Sequence, residues 1–254
     1  SLASAAFFGV GVYTTALLGM SLPLILVISF GGIFSLCLAL VVGILTLRLK
    51  GIYFVMFTFG LVELFRHFIM WWEVKITGTT GRVILPVDNT TIFYILLTIF
   101  TILLIITRFI RKSKIGLALQ SIGECEEAAA HSGVNVTTLK ISLFALSAFF
   151  MGTVGAIMAT RWTYIDPQIA FNPQISFLPV LMAIFGGVNY LFGPIIGAAI
   201  FTCLEEILIT RVPYYYMLIF GFIMLISILF LPKGLIGFVQ DLHRQIVEAK
   251  NANT

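Results

Sequence analysis

Residues 122–136, IGECEEAAAHSGVNV, form the longest break in an otherwise charge-poor, membrane-type sequence and hold its one dense cluster of acidic residues. Glutamates come first, where they stabilise the first turn of a helix. Alanines with high helix propensity follow, and Gly133 can then end the helix in the left-handed conformation. The stretch predicts a short, capped, water-facing helix. Its defining residues are Glu124, Glu126, Glu127, Ala128, Ala129 and Gly133.

A basic run precedes this short helix and a new apolar segment follows it, so the helix should connect two membrane-spanning helices on one side of the membrane. Lysine and arginine are enriched in cytoplasmic loops, which predicts that segment 108–136 is cytoplasmic. Lys75, Arg82, Arg161 and Arg211 fall on the predicted outer side and Arg66 lies within a helix. The other ten of the fifteen basic residues fall on the inner side: Arg48, Lys50, Arg108, Arg111, Lys112, Lys114, Lys140, Lys233, Arg244 and Lys250.

Composition places the chain among integral membrane proteins, because 60% of its residues are hydrophobic and 10% are charged, against about 25% charged in soluble domains. We predict an all-α, polytopic membrane helical bundle of about eight transmembrane or re-entrant helices. The net charge of +4 fits the cytoplasmic bias of basic residues, and no basic and aromatic patch predicts nucleic-acid binding. Three widely spaced cysteines predict no metal site. No phosphate loop or catalytic motif is found, so neither an enzyme nor a cofactor is predicted.

Apolar segments set the predicted spans. Residues 22–47 hold no charge over 26 positions, enough to cross a bilayer of about 30 Å at 1.5 Å per residue. Residues 1–20 are compatible with a span or with a broken or re-entrant helix lined by protein. Further helices are predicted at 51–72, 91–107, 137–160 and 213–231, with outer loops at 73–91 and 161–173. The whole membrane domain is placed at 1–240, followed by a polar cytoplasmic tail at 241–254.

Glycine interrupts the long uncharged region 167–204, which predicts two shorter helices joined at a turn, either spanning or re-entrant. The turn residues are Gly186, Gly187, Gly193 and Pro194. In the helix 137–160, small residues recur every fourth position and predict close approach of another helix. These residues are Ala148, Gly152, Ala156 and Thr160.

Glu63, Arg66 and His67 lie within the third helix, spaced three and four residues apart, so they share one face and can pair. A lone charge there costs roughly 2.5 to 3.5 kcal/mol on insertion scales. Two interpretations stay open: an ion pair that stabilises the helix, or side chains that line a translocation path. An ion-coupled secondary transporter would need acids near the bilayer midplane and inverted repeats. We expect Glu63 and Glu205 nearer the ends of their helices, and find no convincing repeat.

Five stretches carry a family resemblance. The connector and the helix after it, IGECEEAAAHSGVNVTTLKISLFALSAFFMGTVGAI, resemble the permease subunits of bacterial ABC importers. The similarity is closest to the branched-chain amino acid permease family, in the branch of its second, LivM-like subunit. The other four stretches are SLASAAFFGVGVYTTALL from Ser1, LRLKGIYFVMFTFGLVELFR from Leu47, FGGVNYLFGPIIGAAI from Phe185 and LPKGLIG from Leu231. They cover nearly the whole chain in the family's order.

The resemblance implies a permease subunit that moves branched-chain amino acids or a similar small solute inward by alternating access. It implies a second homologous permease, two cytoplasmic ATPase subunits that hydrolyse ATP, an extracytoplasmic solute-binding protein and membrane lipid as partners. It also implies a multi-pass protein of a prokaryotic inner membrane with a cytoplasmic C-terminus. Urea, short amides and simple sugars are alternative solutes within the same class. One or more helices normally precede the position of Ser1 in this family, so the N-terminus is expected to be incomplete.

By residue, the resemblance matches the acidic connector to the coupling helix that sits in a groove of the ATPase. It matches Glu63 and Arg66 to a polar pair of the third helix. It also matches Gly186, Gly187, Gly193 and Pro194 to the family's glycine-rich turn. The chain departs from the family at Gln120 and Gly123, where arginines are usual, and at Cys125, where an aspartate is usual. These departures leave the matching ATPase open.

Overall fold

The computed structural model describes residues 1–46, 49, 51–230 and 234–237. The helices and strands with assigned bounds are, in chain order, α1 (Ser4–Leu18), α2 (Leu24–Thr46), α3 (Ile52–Thr77), β1 (Arg82–Val83), α4 (Asn89–Lys112), α5 (Lys114–Glu124), α6 (Glu126–His131), α7 (Val136–Ala159), β2 (Tyr164–Ile165), α8 (Pro167–Ala170), α9 (Gln174–Gly186), α10 (Gly193–Arg211) and α11 (Tyr216–Phe230).

Six helical stretches of the described chain are long and apolar enough to cross a membrane: α2, α3, α4, α7, the stretch Pro167–Gly186 and α10. This confirms the predicted polytopic helical membrane fold, with one two-residue antiparallel strand pair added. Helices α1 and α11 have 15 residues each, about 22 Å at 1.5 Å per residue, which is short of a 30 Å bilayer. The predicted number of about eight membrane helices includes these two and stays a prediction.

The chain divides into two compact units, Ser1–Ser176 and the residues from Phe177 onward. Each has its own apolar core. In the second unit, Phe201 lies between Phe185 and Phe220, with ring centroids 4.5 and 5.6 Å apart in edge-to-face geometry. The predicted tail 241–254 lies outside the described residues, as do Arg48, Lys50, Lys233, Arg244 and Lys250.

Helix α7 is the centre of the first unit and packs closely against α1 and α2. A Cβ atom on Gly155 would overlap the carbonyl oxygen of Phe8 in α1, and one on Gly152 would overlap that of Gly31 in α2. The Thr15 hydroxyl donates to the Ala156 carbonyl across 2.8 Å. The predicted small-residue face is therefore confirmed as a packing surface, and Ala148, Gly152, Ala156 and Thr160 are all buried.

Both predicted outer loops meet at one end of the first unit. Strand β1, which follows α3, pairs with β2, which follows α7, and the Ile84 N–H donates to the Thr163 carbonyl across 3.0 Å. Helix α3 ends at Thr77 rather than at Trp72 as predicted, and Gly78 with φ of 75° ends it. It continues through Glu73 and Lys75 because the Glu73 side chain is buried and paired. Helix α4 likewise runs past its predicted end at residue 107 to Lys112.

Candidate functional site

The acidic connector contains two helices instead of one. Cys125 is extended, with φ of −154° and ψ of 111°, and separates α5 from α6. Glu124 is therefore the last residue of α5 and not part of the short helix, which corrects the prediction. Glu126 and Glu127 occupy the first turn of α6, where acidic side chains face the positive end of the helix dipole.

The end of α6 forms as predicted. Gly133 has φ of 85°, the left-handed conformation. Its N–H donates to the Ala130 carbonyl across 3.0 Å, and the Val134 N–H donates to the Ala129 carbonyl across 3.2 Å. These two bonds form a Schellman motif, which satisfies carbonyls left free at the helix end. The short helix is therefore capped by its own sequence.

The acids of the connector face two directions. Glu126 lies toward α7, where its Oε2 is 2.7 Å from the Nζ of Lys140. Ala129, 2% exposed, is the buried residue of α6. Glu124 and Glu127 are exposed and have no ion pair or hydrogen bond with any described residue. The connector therefore presents Glu124 and Glu127 outward, whereas Glu126, partly exposed, pairs with Lys140 of α7.

The predicted polar pair of α3 forms. The Arg66 Nη2 lies 2.5 Å from the Glu63 Oε2, and both side chains are 28% exposed. The His67 Nε2 lies 3.8 Å from the same oxygen, and its side chain is largely exposed. Glu63 is the twelfth of the 26 residues of α3, and Glu205 the thirteenth of the 19 residues of α10. The expectation that these acids lie nearer the helix ends is wrong, because each lies closer to the middle of its helix than to either end.

Replacing Arg66 by leucine should destabilise the protein, because Glu63 would lose its ion-pair partner in the middle of an apolar helix. The cost of a lone charge there, roughly 2.5 to 3.5 kcal/mol, sets the upper limit. The double variant Glu63→Gln/Arg66→Leu should recover most of this loss in thermal unfolding in detergent micelles. Transport by the folded double variant then separates the two interpretations: retained transport supports the ion pair, and lost transport supports a lining role.

The predicted glycine turn connects two shorter helices. Helix α9 ends at Gly186 and helix α10 begins at Gly193. A Cβ atom on Gly186 would overlap the carbonyl oxygen of Gly193, and one on Gly193 would overlap that of Gly187. Pro194 stands in the first turn of α10, where its missing N–H costs no helical bond. The turn therefore brings backbone against backbone, which requires glycine.

Sequence reasoning missed one site, a buried carboxylate at the end of α3. Glu73 is 1% exposed; its Oε2 accepts from the Gly81 N–H at 2.9 Å and its Oε1 lies 3.3 Å from the Arg82 Nε. The buried Tyr13 hydroxyl lies beside this carboxylate without a well-formed hydrogen bond. Residues 73–91 read as a polar loop, and only a lone acid after two tryptophans marked the position. The contact that buries Glu73 is tertiary.

No group of three metal-ligating side chains occurs in the ranges that the structure describes. The site features are therefore helix ends, an ion pair and close backbone contacts. These can transmit a movement between elements.

The family described as "Branched-chain amino acid transport system / permease component" matches residues 1–228. The chain is similar to the high-affinity branched-chain amino acid transport system permease protein LivM of Salmonella typhimurium, with 25% identity over 91% of this chain and 62% of that protein. The chain thus spans less than two thirds of this relative.

Two shorter similarities extend the comparison. The permease protein LivH of the same kind of system in Escherichia coli is 26% identical over 54% of this chain and 44% of its own. The L-arabinose ABC transporter permease protein AraH of Azospirillum brasilense is 28% identical over 48% of this chain and 38% of its own. No solved structure matches the chain.

Proposed function

Because the chain belongs to the permease family of branched-chain amino acid transport systems, we propose that it is a membrane subunit of an ATP-binding-cassette importer for branched-chain amino acids or a similar small solute. The family is described as a permease component, which supports the role of a transport subunit. ATP hydrolysis then takes place on separate subunits.

The observation that carries this proposal is the structure of α6. It is a short helix whose Glu127 faces outward, with Glu124 exposed just before it at the end of α5. Helix α6 is joined through one turn to α7, the centre of the first unit. A rigid helix in that place can accept a movement from a partner and deliver it to a bundle. The proposed contact surface for the ATPase comprises Glu124, Glu127 and Ala128, with Ala129 buried beneath it and Gly133 ending the helix in the left-handed conformation.

The proposed assembly contains a second homologous permease, two ATPases and an extracytoplasmic binding protein. Similarity to both LivM and LivH, each named as a permease of a branched-chain amino acid system, supports the second permease. Because the loops around β1 and β2 meet at one end of the first unit, that end is the proposed side of the binding protein. The connector and the C-terminus are then cytoplasmic in an inner-membrane protein.

Two further site assignments belong to the proposal. Glu63, Arg66 and His67 lie near the middle of α3, and we propose that they either form an ion pair that stabilises the helix or line the translocation path. The turn from Gly186 to Pro194 is the proposed gating turn, because its backbone contacts leave no side chains between α9 and α10 there.

A simple sugar is the second candidate solute. The L-arabinose permease AraH is 28% identical to this chain over 48% of this chain's length. Permeases named for sugars and for branched-chain amino acids are therefore related. A solute-uptake assay with the companion binding protein, comparing leucine with L-arabinose, separates them.

Charge reversal at Glu127 should remove the ATPase. In a pull-down of the tagged chain from mild detergent, Glu127→Lys should lose about nine tenths of the co-purifying ATPase. Reversing a charge at the contact surface removes its favourable pairing and adds repulsion, and a loss of about 1.4 kcal/mol lowers affinity tenfold. Glu127 suits this test better than Glu126, whose reversal would also break the ion pair with Lys140.

Lys75→Glu, an exposed charge reversal at the end of α3 next to the outer loop, is the matched control and should leave the ATPase bound. If the intact chain is stable and brings down no ATPase, the importer proposal fails. An ion-coupled transporter then becomes the function to test.

A further inference from the structure

Helix α6 is too short to hold its own position. It has six residues, and isolated helices below about 12 residues are marginal in water. Within α6 only Ala129 is buried. Its orientation must therefore come from contacts outside the helix.

The backbone link from α6 to α7 is a turn of four residues, Ser132 to Asn135. It contains Gly133 in the left-handed conformation, and Asn135 caps α7 by accepting from the Thr138 N–H at 3.1 Å. The glycine gives the link a point about which α6 can pivot. The turn by itself does not make α6 and α7 one rigid body.

The ion pair between Glu126 and Lys140 bridges this turn. Glu126 is the first residue of α6 and Lys140 the fifth of α7, so the pair joins the two helices directly, at a place other than the turn that connects them in the chain. With the turn at one point and the 2.7 Å pair at another, α6 is held to α7 at two separated places. Two attachments remove the pivoting freedom that one attachment leaves.

Helix α7 passes a displacement on to α1 and α2, because it packs closely against both helices. Its glycines Gly152 and Gly155 lie against the backbones of α2 and α1, and the Thr15 hydroxyl bonds across to the Ala156 carbonyl. Close-packed helices of this kind move together rather than deform. A displacement of α7 is therefore a displacement of the core of the first unit.

We propose that Lys140 is a positioning residue for energy coupling: its ion pair with Glu126 makes α6 move with α7, so that closure of the ATPases reaches the permease core. The inference rests on the proposed function. It assigns Glu126 to the link between α6 and α7, whereas Glu127 faces outward. The Lys140 ammonium touches neither solute nor ATP, and its effect is on how much transport each hydrolysed ATP yields.

The test is the number of solute molecules transported per ATP hydrolysed, measured on the complete complex in proteoliposomes with its binding protein. Lys140→Glu should lower this ratio about two- to fivefold. This factor corresponds to the upper range for a partly exposed ion pair, and the Lys140 and Glu126 side chains are 30% and 41% exposed. The charge swap Glu126→Lys/Lys140→Glu should restore most of the ratio. An unchanged ratio in Lys140→Glu would overturn the inference.

The matched control is Glu126→Gln/Lys140→Gln, which has the same net charge as the swap and leaves Glu127 unchanged, but contains no ion pair. It should not restore the ratio, so recovery confined to the Glu126 swap identifies the specific pair. Equal recovery in both double variants would overturn the inference in favour of a net-charge effect.

A second measurement uses the intact chain and does not depend on transport. Spin labels at Ala130 in α6 and Ser147 in α7, both exposed, report the spread of distances between the helices in a background without the native cysteines. Lys140→Glu should broaden the distribution and the Glu126 swap should narrow it again. If no ATPase co-purifies with the original chain, the proposed function is refuted. If the ATPase binds but Lys140→Glu leaves the width of the distance distribution unchanged, the role of Lys140 is refuted.

Discussion

Replacing Gly155 by alanine should lower the free energy of unfolding by about 2 to 3 kcal/mol, the upper part of the usual range for overpacking a core. The added Cβ would overlap the carbonyl oxygen of Phe8, an atom of the α1 backbone. A flexible side chain could move aside, but here the whole helix must shift. Helix α1 is buried along most of its length, so its displacement would disturb the packing around it as well. Equilibrium unfolding in mixed micelles measures the change.

Gly60→Ala is the matched control, since Gly60 also lies inside a helix and a Cβ there meets nothing within 4 Å. Alanine has the higher helix propensity, so this variant should be as stable as the original chain or more so. Equal effects of the two substitutions would show that α1 and α7 do not approach as described.

Replacing Glu73 by alanine should cost roughly 3 kcal/mol, the lower part of the range for breaking a buried ion pair. The variant leaves the Gly81 N–H without its acceptor and Arg82 without its carboxylate. Arg82 keeps 28% exposure, so water relieves part of the cost. Thermal unfolding measures the loss, and hydrogen exchange at the Gly81 amide should quicken because its acceptor is gone.

Glu127→Ala removes a carboxylate of the same kind from an exposed position without a described partner. It should change stability by no more than about 0.5 kcal/mol, as surface substitutions usually do. Matching losses in Glu73→Ala and Glu127→Ala would contradict the burial of Glu73. Glu73→Gln is expected to lie between the two, since an amide oxygen still accepts from Gly81 but carries no charge.

Several features of the fold could be predicted because their signals are local. An uncharged run long enough for a bilayer marked α2, and small residues every fourth position marked the packing face of α7. Spacing of three and four residues predicted the ion pair of Glu63, and Gly133 predicted the end of α6. Each depends on helix periodicity or on the conformation of a single residue.

Other features required the tertiary structure. The break at Cys125 separates Glu124 from the short helix, and the buried contacts of Glu73 extend α3. The burial of Glu73 depends on how residues 78–82 fold back onto α3 and on the position of Tyr13, which a single sequence does not show. The meeting of two outer loops at β1 and β2 joins residues about 80 positions apart in the chain.

Hydrophobic length, charge bias and helix capping are properties of short segments, so they suffice to predict a helical membrane protein with an acidic, glycine-capped connector. Which connector acid faces outward and which is paired depends on the tertiary structure, since Glu126 pairs with Lys140 on another helix. The same holds for the burial of Glu73 beside Arg82 and Tyr13. Burial of a charge depends on the partners that the fold brings to it, and composition does not specify those partners.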